Sequence, residues 1–362
     1  GKPDAWKDYW LDSKIVHFIG KDNIPFHAIM WPAFLLGYGE YEGRKWKLPY
    51  DVPANEYLNI GGKKTSTSRN WAIWLGDFLK DFPPDYLRYY LTSVAPESKD
   101  SDFLWEEFQK RINDELNDII GNFVHRSITF AYNNFDGKIP ALNKTLLDDD
   151  DNEAIKNMEE IGKKVGDLIT VFKMKDALKE VVSFAKSCNR YFDKKEPWKL
   201  VKSDKEKAGN TIYISLELAK TLSIVLNPFL PFSTEKMLKE LGIQKFVWSD
   251  SGKLLLKQGK DISRPEPIFS KVPDEQIKRQ IQKLENPAPM KKTLVKKETT
   301  PMIPFDEFQK LDIRTGKIVS VEDHPKADKL YVMKIDVGEE RTIVAGIKSY
   351  YKKEELIGKK IV

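Results

Sequence analysis

Apolar and polar residues alternate differently in three successive parts of the chain. In the first part, two short β-rich runs at residues 14–20 and 56–60 each stop at glycine, as buried strands do. Between them, residues 25–36 are apolar enough to predict a buried helix. This mixture of strands and helix predicts an α/β fold for residues 1–104.

The second part has helical periodicity. Apolar residues recur there at spacings of three and four, which predicts amphipathic helices. The stretches with this pattern are residues 105–124, 154–172, 176–192 and 205–226. Long helices with short connections predict an antiparallel bundle over residues 105–285. The acidic run at residues 148–151 fits either a cation site or a helix N-terminus, and we favour the N-terminus because the helix dipole stabilises negative charge there.

The third part alternates with a period of two. The pattern predicts strands at residues 311–319, 330–338 and 342–346, and residues 359–362 begin a fourth. Short strands with glycine turns predict a small β-barrel over residues 305–362, incomplete for a five-stranded one. A proline-containing basic linker, residues 286–304, precedes it. Its positive charge fits contact with an RNA backbone and equally a solvated tether.

Composition limits the class of protein. The 362 residues allow two or three domains, and 41% hydrophobic with 32% charged residues is a globular balance. No apolar run approaches the roughly 18 residues of a membrane span, so we expect no membrane insertion. The single cysteine, Cys188, excludes a disulfide framework and a cysteine-built zinc site within this sequence, and we expect it to be buried and unreactive. The net charge of +5 permits a nucleic-acid partner without arguing for one.

Two segments have candidate chemistry. Residues 20–27 join a strand end to a helix start, where α/β sheets bind ligands. There Gly20 allows close approach to the backbone. Asp22 can accept hydrogen bonds from a ribose. Phe26, His27 and Trp31 can together form the wall of an apolar pocket. An ordinary amphipathic helix with a core histidine would explain the same three residues.

The second segment is the polar loop at residues 64–69, Lys-Thr-Ser-Thr-Ser-Arg, which follows a Gly-Gly turn. A lysine and hydroxyl groups at this spacing can hold a polyphosphate while charge develops in nucleotidyl transfer. Loops of this composition are common, so the hexapeptide alone is weak evidence.

Four segments in the same order resemble one family. Residues 64–68 resemble the KMSKS loop of class I aminoacyl-tRNA synthetases. Residues 20–27 resemble the GKDNxPFH segment of methionyl-tRNA synthetases of the archaeal and eukaryotic type, and residues 84–90 and 189–198 are similar to later segments of that family. The resemblance implies the C-terminal part of a class I Rossmann-like catalytic domain, then a helical anticodon-binding domain, then a truncated tRNA-binding OB domain.

The resemblance also implies roles in the catalytic part. Phe26, His27 and Trp31 match the methionine side-chain pocket, and Gly20 and Asp22 match positions near the adenylate. Within the loop, Lys64 would stabilise the ATP phosphates as pyrophosphate leaves, with Ser66 and Ser68 beside it. Thr67 stands where the motif has its second lysine. Lys63 or Arg69 would then provide the missing charge.

In the RNA-binding parts, the resemblance assigns an anticodon-reading pair to Asn122 and Arg126, which lie four apart on one helix face. Asn113 lies further back on the same helix. Trp198 matches the tryptophan on which an anticodon base stacks. In the terminal domain, residues 312–318 and 324–331 match the family's tRNA-binding motifs, and the expected RNA contacts there are Lys326 and Lys329.

The implied function is a cytoplasmic methionine–tRNA ligase that uses methionine, ATP with Mg²⁺, and tRNA(Met), with a possible homodimer through the terminal domain. The family's HIGH motif and cysteine-rich zinc insertion have no counterpart in this sequence. We expect the chain to be cut from a longer polypeptide and to be inactive alone. One alternative is a non-catalytic tRNA-binding subunit of a split synthetase. Another is a class I synthetase for isoleucine or leucine. Two residue sets argue against it: Phe26, His27 and Trp31, and Asn122, Arg126 and Trp198.

Overall fold

A computed structural model describes residues 4–286 and 305–362. The chain divides into two compact units, residues 1–290 and 291–362, and each is described by itself. Most of the predicted linker, residues 287–304 with its prolines and lysines, lies outside the described residues.

The first unit begins with π-type turns at Asp8–Asp12, and short parallel strands follow. β1 (Ile19–Gly20) pairs with β2 (Ala54–Asn55), and β3 (Leu58–Ile60) pairs with β4 (Ser101–Phe103). The strand predicted over residues 14–20 is shorter than expected, because before Ile19 only Val16 bridges to the neighbouring segment.

A helix over residues 25–36 is confirmed and extends further. The expectation that it is buried is wrong, because in this range only Leu35 is buried and large apolar side chains such as Ile29 and Phe34 are exposed. The helix begins with wide π-type turns at Pro25–Met30 and continues as α1 (Trp31–Glu42). Two further helices, α2 (Leu75–Asp81) and α3 (Pro84–Ser93), follow. The Phe78 ring of α2 lies 6.1 Å from the ring of Trp105, and the buried tyrosines of α3 belong to the same cluster, so the α/β part and the helical part share one hydrophobic core.

The predicted helical bundle is confirmed, with several more helices than the periodicity marked. Its first helix runs as α4 (Trp105–Lys110), π-type turns at Arg111–Gly121 and α5 (Asn122–Asn134). The remaining helices are α6 (Asp149–Thr170), α7 (Met174–Lys195), α8 (Pro197–Ser203), α9 (Lys205–Leu226), α10 (Pro231–Glu240) and α11 (Asp274–Glu285). α9 is buried along nearly its whole length and forms the centre of the bundle.

The acidic run begins a helix, as predicted. Asp148 caps α6 by accepting a hydrogen bond from the backbone N–H of Asp151. The Nζ atom of Lys195 lies 2.8 Å from Oδ1 of Asp151, so the buried carboxylate has a cationic partner from α7. Cys188 is buried in the same bundle, and burial raises the pKa of its thiol.

The second unit is a curled antiparallel sheet in the order β7-β6-β5-β8, consistent with a tRNA-binding barrel. Its elements are α12 (Phe305–Phe308), β5 (Gly316–Asp323), β6 (Tyr331–Asp336), β7 (Glu340–Ala345), α13 (Lys353–Leu356) and β8 (Lys360–Ile361). The strand predicted from residue 311 is wrong at its start. Leu311 and Ile313 are exposed, and pairing begins only at Gly316. Within the described ranges of both units, no helix has the length and apolar character needed to span a bilayer.

Candidate functional site

The segment after β1 is held by charge contacts. Gly20 ends the strand, and residues 21–23 form one 3₁₀ turn. The Lys21 ammonium donates to Glu56 and, at 3.3 Å, to Asp100. The hydrogen bond with Glu56, and secondarily that with Asp100, raises the pKa of Lys21. A Cβ atom on Gly20 would lie 2.9 Å from Oδ1 of Asp22, so a side chain at this position would crowd that carboxylate.

The polar loop begins at a tight hairpin turn. Gly61 and Gly62 both have positive φ, 56° and 72°, the conformation that a two-residue turn requires and that glycine adopts without strain. Ile60 and Lys63 close the turn with reciprocal backbone hydrogen bonds of 2.9 and 3.1 Å. The indole N–H of Trp71 donates to the carbonyl of Ile60 at 3.0 Å, which fixes the loop's far end to its start.

Inside the loop, the backbone of Ser66 pairs with that of Trp71 through two hydrogen bonds of 3.0 and 2.9 Å. The Ser66 hydroxyl lies 3.2 Å from that of Ser68 and accepts from the N–H of Arg69 at 3.3 Å. Thr67 is exposed. The hydroxyl groups of the loop are therefore gathered at one point.

Two lysines from different segments meet at one aromatic ring. The Nζ of Lys21 lies 4.5 Å, and that of Lys64 5.3 Å, from the centre of the Tyr57 ring. Lys63 lies instead over Trp71, at 4.7 Å. Tyr57 therefore brings the segment after β1 and the polar loop together.

The candidate methionine-pocket residues lie on the first turns of the long helix. His27 and Trp31 are partly buried one turn apart, and Phe26 is 55% exposed. The rings of Trp31 and Trp10 meet edge to face at 6.0 Å. Nδ1 of His27 lies 2.9 Å from Nδ1 of His17.

Two of the candidate anticodon-reading residues, Arg126 and Trp198, are connected through Phe192 in a surface cluster on α5, α7 and α8. The Arg126 guanidinium donates to Asp193 at 2.7 Å and lies 4.7 Å from the centre of the Phe192 ring. The Phe192 ring in turn lies 6.3 Å from that of Trp198. Trp198 is 39% exposed, so a face of the indole is open to a partner.

Asn122 is the first residue of α5, one turn before Arg126. It is exposed and lines a cavity of about 340 Å³ together with His125 and Phe269. Asn113 exchanges two hydrogen bonds with the backbone of Val272, at 3.0 and 2.7 Å. Its amide is occupied by the protein, so direct contact with RNA would require these bonds to open.

In the second unit, Lys326 and Lys329 are exposed on the connection between β5 and β6. The N–H of Lys326 donates to Nδ1 of His324 at 3.2 Å, which shapes the turn. His324 therefore has a local structural role in this turn.

Sequence patterns missed the side chains that organise the first site. The pattern assigns Tyr57 only to the strand predicted over residues 56–60, and Asp100 lies 79 residues from Lys21. No periodicity connects such distant residues. For His17 a signal existed, since it precedes the recognisable segment by three residues and is one of only four histidines.

The sequence matches three family descriptions in order. Residues 1–128 match "tRNA synthetases class I (M)", residues 143–287 match "Anticodon binding domain of methionyl tRNA ligase", and residues 313–362 match "Putative tRNA binding domain". The chain belongs to the methionyl-tRNA synthetase family. The first match covers the α/β part and continues into α5, the second covers the rest of the helical bundle from residue 143, and the third covers the curled sheet.

Individual relatives agree with this assignment. The methionine–tRNA ligase of Pyrococcus abyssi is 47% identical over the whole chain, and that of Bacteroides fragilis is 46% identical over 99% of it. The chain spans 56% and 53% of their respective lengths. The solved Mycobacterium tuberculosis methionyl-tRNA synthetase bound by methionyl-adenylate has a TM-score of 0.64 at 26% identity, over 71% of this chain and 50% of that one. An isoleucine or leucine synthetase does not account for these matches.

Proposed function

We propose that this chain provides part of the catalytic site and the anticodon-reading domain of a methionine–tRNA ligase. The reaction joins the methionine carboxylate to the α-phosphate of ATP, releasing pyrophosphate, and then transfers the methionyl group to the terminal adenosine of tRNA(Met). The observation that supports this most strongly is the ordered match of all three parts of the chain to methionyl-tRNA synthetases.

The loop at residues 64–69 would stabilise the ATP phosphates. Lys64 rests on Tyr57 rather than in a carboxylate pair, so its ammonium can turn toward a phosphate at little electrostatic cost. Ser66 and Ser68 offer hydroxyl donors beside it. Lys63 and Arg69 would provide the charge that Thr67 lacks.

Magnesium would enter with the nucleotide. In the described part of the chain, no group of three or more His, Cys, Asp or Glu side chains is placed to hold a metal ion. Mg²⁺ commonly binds substrate phosphates and water with few protein ligands, which fits this donor set. The chain's own contribution is the cationic loop that orients the same phosphates.

The methionine side chain would bind against Phe26, His27 and Trp31. The exposed face of Phe26 and the partly buried rings of the other two suit a polarizable thioether. Gly20 and Asp22 would lie at the adenylate, with Asp22 accepting hydrogen bonds from ribose hydroxyls. Its carboxylate accepts one weak bond from Asn23, at 3.4 Å, and is otherwise exposed.

The anticodon of tRNA(Met) would bind at the surface cluster. Trp198 offers an open face for stacking, and Arg126 and Asn122 offer donors for base edges. Asn113 would join them only if it released Val272. Lys326 and Lys329 on the second unit would contact the RNA backbone and make binding salt-dependent.

Two further assignments belong to this proposal. An enzyme that charges tRNA acts in the cytoplasm with the translation machinery. A homodimer through the second unit is favoured by apolar side chains on its edge strand, where Val344 is 53% exposed. A non-catalytic tRNA-binding subunit stays the alternative. An initiation codon directly before Gly1 would favour it, and an uninterrupted upstream frame encoding a HIGH motif would exclude it.

Two assays on the purified chain test the proposal. Filter binding should show that it retains tRNA(Met) and that altering the first base of the CAU anticodon weakens retention about five- to 150-fold. Equal retention of both transcripts would contradict anticodon reading. Methionine-dependent ATP–pyrophosphate exchange should be at background, since the sequence has no HIGH motif. Exchange above background would contradict the proposal that this chain provides only part of the catalytic site.

A further inference from the structure

Two histidines meet through the same type of ring nitrogen. The Nδ1 atoms of His17 and His27 lie 2.9 Å apart, and the rings are nearly perpendicular, at 88°. A neutral imidazole has one N–H and one lone pair, so a hydrogen bond here requires one Nδ1 to be protonated and the other to be bare. The two rings must therefore adopt opposite tautomers.

The backbone holds this pair in place. The N–H of His17 donates to the carbonyl of Asp51 at 3.0 Å, and Val16 bridges to Asp51. His27 lies on the wide helical turn Pro25–Met30, whose Phe26 carbonyl accepts from the N–H of Trp31. Both side chains thus project from anchored backbone.

We propose that His17 is a positioning residue whose Nδ1–H donates to Nδ1 of His27, which fixes the proton of His27 on Nε2. The direction follows from the ligand, so this part rests on the proposed function. A thioether sulfur is a weak acceptor and has no proton to donate. Only a His27 that bears its proton on Nε2 can donate to it.

The environment permits this direction. Within the described residues, Nε2 of neither histidine makes a hydrogen bond, so Nε2 of His27 is free for a ligand. Partial burial, and secondarily the neighbouring His27, lower the pKa of His17. His17 is therefore neutral near pH 7, as a donor with a single ring proton must be.

Nitrogen-15 NMR of the ring atoms tests the tautomers without any ligand. Four histidines give four ring systems, which single His→Asn variants assign. We expect the proton on Nδ1 in His17 and on Nε2 in His27. A His27 protonated on Nδ1, or a His17 protonated on Nε2, would overturn the proposal.

Two variants then test the coupling. His17→Leu removes the donor, so His27 should become a mixture of tautomers. His17→Asn keeps an N–H near the position of Nδ1 and should restore the Nε2 form. Unchanged tautomers of His27 in His17→Leu, with the spectrum of the helical core preserved, would contradict a positioning role.

Methionine binding separates this proposal from the function on which it rests. If the chain binds L-methionine, His17→Leu should weaken binding by about two- to tenfold and His17→Asn should not, the range expected for one hydrogen bond. Equal weakening in both variants would count against positioning. A wild-type chain that binds no methionine would contradict the pocket assignment alone, and the tautomer measurement would still decide the role of His17.

Discussion

The ammonium of Lys64 lies 5.3 Å from the centre of the Tyr57 ring, on which Lys21 also rests at 4.5 Å. One ring thus connects the segment after β1 with the polar loop. In the absence of nucleotide, this contact restrains Lys64 without neutralising it. A phosphate that approaches would compete with an aromatic face, which holds a cation less strongly than a carboxylate does.

Replacing Tyr57 should loosen the loop. Tyr57→Leu removes a cation–π partner worth about 0.5–1 kcal/mol at such a site. We expect faster amide hydrogen exchange at residues 63–69 and little change in α9. Tyr57→Phe, which keeps the ring, is the matched control and should exchange like the wild type. Equal protection in the Leu and Phe variants would show that the ring does not restrain the loop.

Asp81 should make the attachment of α11 depend on pH. Its Oδ2 accepts from Lys283 and Gln280, each at 2.6 Å, and the hydrogen bond from Lys283 is the largest cause that lowers the pKa of Asp81. A carboxyl whose pKa is lower in the folded state stabilises the fold above the unfolded value, near 3.8, and loses this effect as pH falls through the folded pKa.

Asp81→Asn should therefore lower the free energy of unfolding by about 1–2 kcal/mol at pH 7. The difference from wild type should shrink below pH 4, because the wild-type carboxyl then becomes neutral too. Urea unfolding at pH 7 and pH 3 measures it. A difference independent of pH would show that the charge of Asp81 does not stabilise α11.

A buried ion pair in α9 should be costly to break from one side. Glu217 and Lys220 are 0% and 1% exposed, and Nζ lies 2.5 Å from Oε2. Lys220→Met leaves a buried carboxylate and should destabilise the fold by about 3–5 kcal/mol. Adding Glu217→Gln should recover part of this loss, because the amide oxygen can still accept from Tyr213 and the N–H of Leu256. A double variant less stable than Lys220→Met would contradict this account.

Local pattern predicted the helices better than the strands. The helix predicted over residues 205–226 coincides with α9. It is not amphipathic as the pattern predicts, because Ala208 to Leu226 are all buried at the centre of the bundle. The alternation of apolar and polar residues from residue 311 predicted a strand start that is wrong, because Leu311 and Ile313 fit a strand pattern but are exposed. A period of two shows where a strand is possible, and pairing decides where one forms.

The candidate site was predictable where motif residues are contiguous and not where distant residues meet. The segment 20–27 and the loop 64–69 can each be identified as a motif from their consecutive residues. The contacts of Lys21 with Asp100, and of Arg126 with Asp193, join residues 79 and 67 positions apart. These contacts arise from folding of the whole unit. The spacing of hydrophobic residues along the chain therefore does not predict them.

The most direct test of the account is the contribution of Trp198 to recognition of the anticodon. Trp198→Ala should weaken binding of tRNA(Met) by about 1–3 kcal/mol, because the open indole face is lost as a stacking surface. Trp248→Ala is the matched control, since Trp248 is 37% exposed and Trp198 is 39% exposed, and it should bind like the wild type. Filter binding with the CAU transcript and an altered-anticodon transcript measures both.

We predict that Trp198→Ala binds the CAU transcript about five- to 150-fold more weakly than the wild type does, whereas Trp248→Ala binds it like the wild type. A folded Trp198→Ala that keeps the wild-type affinity and preference would contradict the assignment of this surface to the anticodon.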